Sequence, residues 1–515
     1  MYKRIPALFY KKSRIIALVL IGINIILNAW TVFHKDIIYN SDIARDFLLF
    51  NEITQKKIIL IGPRADGIQG LFHGPLWLYL NYPAYIIGHG NPLVVGWFWF
   101  FLTLIFLLVS FIIATKLFNK SVGILYVTLL SSVMIYHSNG LFNPDGAMFL
   151  LPLFLFFFSS YYKFKRLSYL AISLLLVGLM IQFQMAIGIP FLILSTLLTL
   201  YLIIRNRKYF HILAFLIVLL PLSTFILFDL RHNFEQLHSI INSFSGHTSA
   251  PQFSFYNRLS NRIELMTFQL FFFQGQLSAL NLLLSYIIAF FLGKRISAKA
   301  DQYRYLYLLF IYFYLGFYTI SLLQNGNLLS FFIYPLLTLL FLLFSSNLLY
   351  HEKKFFIALI IIIPILQLIS SISYISETTN NINRVDTSWQ FQHNIALKIF
   401  TSNDTSFGYL IYAPDVFGYK QKYAYEYTKS EYPNKNATLF QKQRITYVVV
   451  EPIPSSRTDL AHDYDNWKKD KVTFEGKLLS SYTYPNSYKI EKYLLTGKEI
   501  AAPIDPALLD IIHFR

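Results

Sequence analysis

Asp42, Arg45 and Asp46 sit in the stretch Asn40-Ser41-Asp42-Ile43-Ala44-Arg45-Asp46-Phe47. Asn and Ser are helix-capping residue types, so the order predicts a helix start with Asp42 in its first turn. Asp42, Arg45 and Asp46 then fall at i, i+3 and i+4 and share one face. Ile43, Phe47 and Phe50 form a separate apolar face. That pattern predicts a short amphipathic helix at a membrane surface, acids toward water and aromatics toward lipid. A carboxylate so placed is suited to take the proton of an attacking hydroxyl as its new bond forms. If the leaving group is already an anion, such as a lipid phosphate, it needs cations or donors to hold it but no general acid. A hydrolase acting on a glycosidic bond differs, because its leaving oxygen must be protonated and two carboxylates are required. One acid with Arg and His groups on the same side therefore fits transfer from a lipid phosphate to a hydroxyl. Asp42 is the candidate base. Arg45, His73, Arg231 and His232 are the candidates to hold phosphate or substrate, with Asp46 and Asp145 as supporting acids.

Each residue also has a plainer reading. The helix dipole favours an Asp in any first turn, and Arg45 with Asp46 fits a solvated pair of little energetic weight. Asp145 follows Asn143-Pro144 as turn acids do. Arg231 and His232, just past an apolar run, fit interfacial anchors.

Those candidates need a frame. The chain of 515 residues is 55% hydrophobic and 18% aromatic, with 14% charged residues, a balance that predicts a polytopic membrane protein. Its formal charge of +17 then points to anionic headgroups and to loops flanking membrane spans rather than to nucleic acid. Without cysteine there are no disulfides, thiolate nucleophiles or Cys-ligated metals. Lys3, Arg4, Lys11, Lys12 and Arg14 precede an apolar run over 15–33, which reads as a retained signal-anchor helix.

Eleven spans are expected, at 15–33, 92–115, 121–138, 147–162, 167–184, 187–204, 209–228, 276–293, 304–322, 327–349 and 355–374. Lys116 and Lys120, then Lys163, Lys165 and Arg166, then Arg205, Arg207 and Lys208 fall in alternate connections. Lys294, Arg295, Lys299 and Arg304, and later Lys353 and Lys354, continue the series. With the N-terminus cytoplasmic, all lie inside, and an odd span count puts the tail outside. The expected domains are a membrane domain over 1–375, with a long first outer loop at 34–91, and an extracytoplasmic α/β domain over 376–515. Within the loop, Gly62-Pro63 predicts a turn and Phe72 to Tyr79 a second interfacial helix. In the tail, Tyr409–Tyr412 and Ile445–Val450 read as strands, Asp415–Thr428 and Asp459–Trp467 as helices, and 479–484 with 488–494 as a hairpin about Pro485-Asn486-Ser487.

The order of these motifs resembles a known family. Ser41-Asp42-x-Ala44-Arg45-Asp46, then Gly62-Pro63, then His73-Gly74-Pro75-x-x-x-Tyr79 is similar to the first outer loop of bacterial GT-C glycosyltransferases. Protein O-mannosyltransferases and the lipid A aminoarabinose transferase are its relatives. Asn143-Pro144-Asp145 and Phe228-Asp229-Leu230-Arg231-His232-Asn233-Phe234 resemble later motifs of the same family. The resemblance implies inverting transfer of a sugar from a polyprenyl-phosphate donor, with Asp42 as general base. The acceptor would be a cell-envelope glycan, glycolipid or protein, and the site would be the plasma (inner) membrane. Two departures stand out. His73-Gly74-Pro75 replaces the Glu-Lys-Pro of the aminoarabinose transferases, so His73 or an arginine must take over the lysine's contact to the phosphate. Asp42 is followed by Ile43 where mannosyltransferases often pair two acids. No cofactor is expected, although Asp42, Asp46 and Asp145 have the oxygen ligands a divalent cation would accept. A transporter or flippase of lipid-linked glycans is the alternative, but it predicts ionisable groups in mid-span and repeated halves.

Overall fold

The computed structural model describes residues 7–65, 68, 70–244, 253–268, 278–298, 301–324, 326–348, 354–380, 386–454, 463–506 and 508. Lys3, Arg4, Lys299 and Lys353 of the expected basic flanks, and 459–462 of an expected helix, lie outside the described residues. Every apolar run expected to span coincides with helix over most of its length. Among the described residues, six helices are long and apolar enough to cross a bilayer, namely Pro92–Leu117, Asn143–Phe164, Met185–Asn206, Tyr209–Arg231, Ala279–Ser297 and Ser330–Asn347. Arg14–Asn28, Lys120–Tyr136, Leu167–Phe183 and Ile362–Ser376 are apolar but shorter. The chain is thus a multi-pass α-helical membrane protein with a small α/β domain at its C-terminal end.

Two compact units emerge. The first comprises 1–30, 58–80 and 98–375, the second 31–57, 81–97 and 376–515.

In the first unit, Asn143–Phe164 packs against Leu167–Phe183, which packs on Met185–Asn206. Phe154, Phe158, Phe191 and Phe313 interlock with ring centroids 5.1 to 5.6 Å apart. Lipid is as apolar as these side chains, so close packing and interhelical hydrogen bonds hold such a bundle. Asn24 Nδ2 donates to Ser131 Oγ at 2.9 Å and Asn28 Nδ2 to Ser131 O at 2.9 Å, both buried.

The basic connections gather at one end of this bundle. Arg14 donates to Ser121 at 2.8 Å, Tyr303 OH to Phe118 O at 3.2 Å, and Lys208 Nζ to Lys165 O at 2.9 Å. Tyr162 and Tyr305 stack with centroids 6.2 Å apart. The opposite end lies a helix length away: the 22 residues of Asn143–Phe164 rise roughly 33 Å.

The second unit is built on a five-stranded sheet of order β2-β1-β3-β5-β4. Its strands are β1 (Ser406–Tyr412), β2 (Asn436–Leu439), β3 (Ile445–Val450), β4 (Lys477–Thr483) and β5 (Lys489–Leu494). β1 runs parallel to β2 and β3, while β5 is antiparallel to β3 and β4. The two expected strands and the hairpin about Pro485-Asn486-Ser487 are present. The expected helix ending at Trp467 is described from Asp463 as one α-turn (Asp463–Asn466) running into a π-turn (Trp467–Lys471). β2, only four residues long, and the helix Trp389–Phe400 are additions. Ser388 caps that helix, its hydroxyl accepting from Phe391 N at 3.1 Å.

Around the sheet's helix Tyr419–Glu431 packs the helix Ser41–Lys56 of the first loop. This corrects the expectation that its aromatics face lipid. Ile43, Phe47 and Phe50 are 1%, 0% and 2% exposed. Phe47 instead lies 5.0 Å from Tyr423 and 5.4 Å from Phe50, ring to ring. Periodicity shows which face of a helix is apolar, not what covers it.

Lys422, on the same sheet helix, is buried beside the Tyr419 and Phe440 rings. Burial pushes its ammonium down to about 7 from an ordinary value near 10.5. The unfolded chain then binds more protons between these values, so stability is fullest above pH ~10.5 and falls as pH drops toward ~7. Lys422→Met is expected to raise the melting temperature at pH 7 and to flatten that pH dependence. An unchanged profile in chemical denaturation at pH 7 and 10 would refute the assignment.

Candidate active site

Asn40 is the N-cap of Ser41–Lys56, its side chain accepting from Ile43 N at 3.0 Å, and Asp42 occupies the first turn. Ser41 makes no cap of its own. Its hydroxyl donates to Asp415 Oδ2 at 3.0 Å, and Asp415 Oδ1 accepts from Phe417 N and Gly418 N, each at 3.0 Å. Ten residues further along the helix, Asn51 donates to Glu426 at 2.5 Å and accepts from Tyr85 OH. Ahead of the helix, Asp36 accepts from Ser388 Oγ at 2.6 Å and Gln390 N at 3.0 Å, and burial holds its carboxyl above the usual range. Tyr39 N donates to Thr387 O at 2.5 Å. The tail therefore fixes the helix at its start, its middle and its approach, which rigidly aims the side chains it bears.

Arg45 Nη1 bonds Asp42 Oδ1 at 2.8 Å, and Arg45 Nη2 approaches Asp46 Oδ1 at 3.5 Å. Side-chain exposures are 40% for Asp42, 12% for Arg45 and 5% for Asp46. The expected solvated pair of Arg45 with Asp46 is thus a largely buried one, and Asp42 is the more exposed of the two acids. Asp415→Ala should loosen this start. Hydrogen exchange at the amides of 43–46 is expected to speed up, and unchanged exchange would show that Asp415 does not hold it.

The remaining candidates belong to the first unit. Residues 61–65 and 71–74 form a narrow antiparallel ladder, in which Gly62 N donates to His73 O at 2.8 Å and His73 N to Pro63 O at 2.9 Å. Gly74 N donates to Gln182 O at 3.0 Å. A Cβ on Gly74 would lie 1.9 Å from Gln182 Oε1, and one on Gly62 would lie 2.4 Å from Gly74 O. Backbone approach this close accounts for both glycines. The helix expected over 72–79 begins only at Leu76, and Trp77 is buried, 1% exposed, rather than interfacial.

Phe72 ties this ladder to the Arg231 segment. Its N donates to Gln236 Oε1 at 3.1 Å, and its ring lies 5.8 Å from that of Phe228. His232 stacks on Phe228 at 4.0 Å, and its Nδ1 lies 2.8 Å from Phe228 O. Asp229 accepts from Gln236 N at 3.0 Å and Leu237 N at 3.2 Å, starting the helix Glu235–Phe244. Arg231 is exposed.

Asn143 Nδ2 donates to Phe183 O at 2.9 Å, one residue from Gln182. The His73, Asn143 and Arg231 segments, far apart in sequence, are so knitted together at the end of the bundle opposite the basic connections. Asp145 is 0% exposed, accepts from Phe142 N at 3.0 Å and pairs with His137 Nδ1 at 3.0 Å. Its two oxygens are thereby both engaged in holding the turn. Among the described residues, no group of three or more His, Asp or Glu side chains is gathered to hold a metal ion.

No protein-family model matches the chain, and no curated protein matches it. Solved structures do. ArnT from Cupriavidus metallidurans bound to undecaprenyl phosphate matches with a TM-score of 0.61 at 10% identity, over 94% of this chain and 99% of that one. Its apo state gives 0.57 at 11% identity, over 94% and 98%. An Archaeoglobus fulgidus oligosaccharyltransferase in complex with Zn and sulfate gives 0.47 at 11% identity, over 92% and 72%, too loose a likeness to argue from. The chain shares its fold with these ArnT structures.

Proposed function

We propose that the protein is an integral membrane glycosyltransferase that moves a sugar from a polyprenyl-phosphate carrier to a hydroxyl of a cell-envelope acceptor. The observation that carries this reading is Asp42, a 40% exposed carboxylate on a helix held at three points, in a chain with the fold of ArnT. The structure matched there holds undecaprenyl phosphate.

In the reaction, the acceptor hydroxyl attacks the anomeric carbon while Asp42 takes its proton. The carbon–oxygen bond to the phosphate breaks on the opposite face, so configuration inverts. The carrier leaves as a phosphate anion and needs only donors and positive charge. Arg231 and His232 supply these, with His73 beside them in place of a lysine. Arg45 holds the Asp42 carboxylate in place, and Asp46 holds Arg45 from behind. No step requires a metal.

The gathering of basic connections at one end supports placing that end in the cytoplasm of the plasma (inner) membrane. The motif-bearing end and the domain over 376–515 are then extracytoplasmic, where lipid-linked sugars are consumed.

Arg231→Ala tests the phosphate assignment. Loss of a charge-assisted hydrogen bond, ~1.5–3 kcal/mol, is expected to raise the donor KM about tenfold or more. A donor KM equal to wild type would make Arg231 an interfacial anchor.

A further inference from the structure

In the sheet of the second unit, the parallel neighbours β1 and β3 send their connections to opposite sides. From β1 the chain crosses to β2 on one side, and from β3 it passes to β4 and β5 on the other. In an open α/β sheet, the carboxyl ends of two such strands leave a crevice, and ligands bind there. A cavity of about 240 Å³ lies at the carboxyl end of β1, against Ile411 and Tyr412 of that strand and Phe440 just after β2. The segment after β1, residues 413–418, forms one wall, and the segment after β3, residues 463–471, forms the other.

Its floor is aromatic and apolar, made by Tyr412, Phe440, Trp467 and Leu508, all buried. Its rim carries Asp463, Asp470 and the ion pair of Lys471 with Asp505 at 2.6 Å. Tyr412 OH donates to Asp463 Oδ2 at 2.9 Å, and both residues line the cavity. Phe417 and Val416 stand at the edge, 41% and 65% exposed.

We propose that this cavity binds one sugar ring of the acceptor, either neutral or amino-substituted. The volume falls below the roughly 300 Å³ at which drug-sized pockets begin, which suits a single ring. A pyranose has apolar C–H faces that pack on aromatic rings and an edge of hydroxyls that carboxylates accept from. Three carboxylates against one ammonium on the rim repel phosphate and admit an amino group, so the donor's phosphate is excluded. The same loop that walls the cavity contains Asp415, which holds Ser41 next to Asp42. A ring seated there is coupled through one residue to the helix that bears the base.

The proposal rests on the transferase reading, and its test separates the two. The full chain in lipid nanodiscs, free of sugar-headed detergent, is titrated with glucose, mannose, galactose, N-acetylglucosamine and glucosamine by saturation-transfer difference NMR. At least one probe is expected to saturate, with affinity falling tenfold or more in both Phe417→Ser and Asp470→Asn. Glucose 6-phosphate is expected to bind more weakly than glucose. Asp42→Asn should bind the sugar as wild type does, whether or not it transfers. No saturable probe, or wild-type affinity in both rim variants, would overturn the cavity's assignment while leaving Asp42 untouched. Absence of any sugar transfer by the wild-type chain, with the NMR result intact, would instead remove the transferase reading alone.

Discussion

Asp42→Asn is expected to lower sugar transfer by roughly 10²- to 10⁴-fold, the range over which a positioned base accelerates a reaction. Asparagine is nearly isosteric and still accepts a hydrogen bond from Arg45, but it cannot take a proton at any pH near neutrality. Folding should be spared, because Asp42 is 40% exposed and a pair this open contributes about 1 kcal/mol or less. The melting temperature should therefore stay within a few degrees of wild type, and donor KM should change little. An assay with purified protein and a polyprenyl-phosphate sugar reads both parameters. Turnover close to wild type would take Asp42 out of the chemistry.

Asp145→Ala should do the reverse. Its carboxylate is wholly buried and serves Phe142 N and His137 together. Truncation leaves an amide and an imidazole without that acceptor in a site water does not reach, and breaking such an arrangement costs on the order of 3 kcal/mol. Thermal unfolding in detergent should shift clearly downward, and Asp145→Asn, which keeps an acceptor oxygen, should shift it less. A normal melt combined with lost transfer would move Asp145 from the turn into the reaction.

These two acids show what could be read from sequence and what could not. Asp42's place follows from Asn40 and Ser41, because capping is a local rule that residue type and spacing carry. The apolar runs were legible for a similar reason, since eighteen or so apolar residues in a row have few other uses. The hairpin about Pro485-Asn486-Ser487 was legible from its turn residues. Nothing local tells that Ser41 bonds Asp415, 374 positions away, or that Phe47 lies on Tyr423. An amphipathic face looks the same whether lipid or a protein helix will cover it. Asp145 illustrates the converse. Its place in a turn was readable from Asn143-Pro144, yet its bond from Phe142 N and its pairing with His137 arise from the fold of that turn. Asp415 and Glu426, which hold the Ser41 helix, sit among ordinary polar residues of the tail and carry no motif.

A structure of the full chain with a bound polyprenyl-phosphate sugar probes the mechanism without relying on any variant. Density for the phosphate is expected beside Arg231 and His232, with the Asp42 carboxylate facing the sugar's anomeric carbon across the space of one hydroxyl, attacking oxygen ~3–3.5 Å from that carbon. A phosphate lodged instead among the basic connections around Lys165 and Lys208, or a sugar turned away from Asp42, would contradict the account.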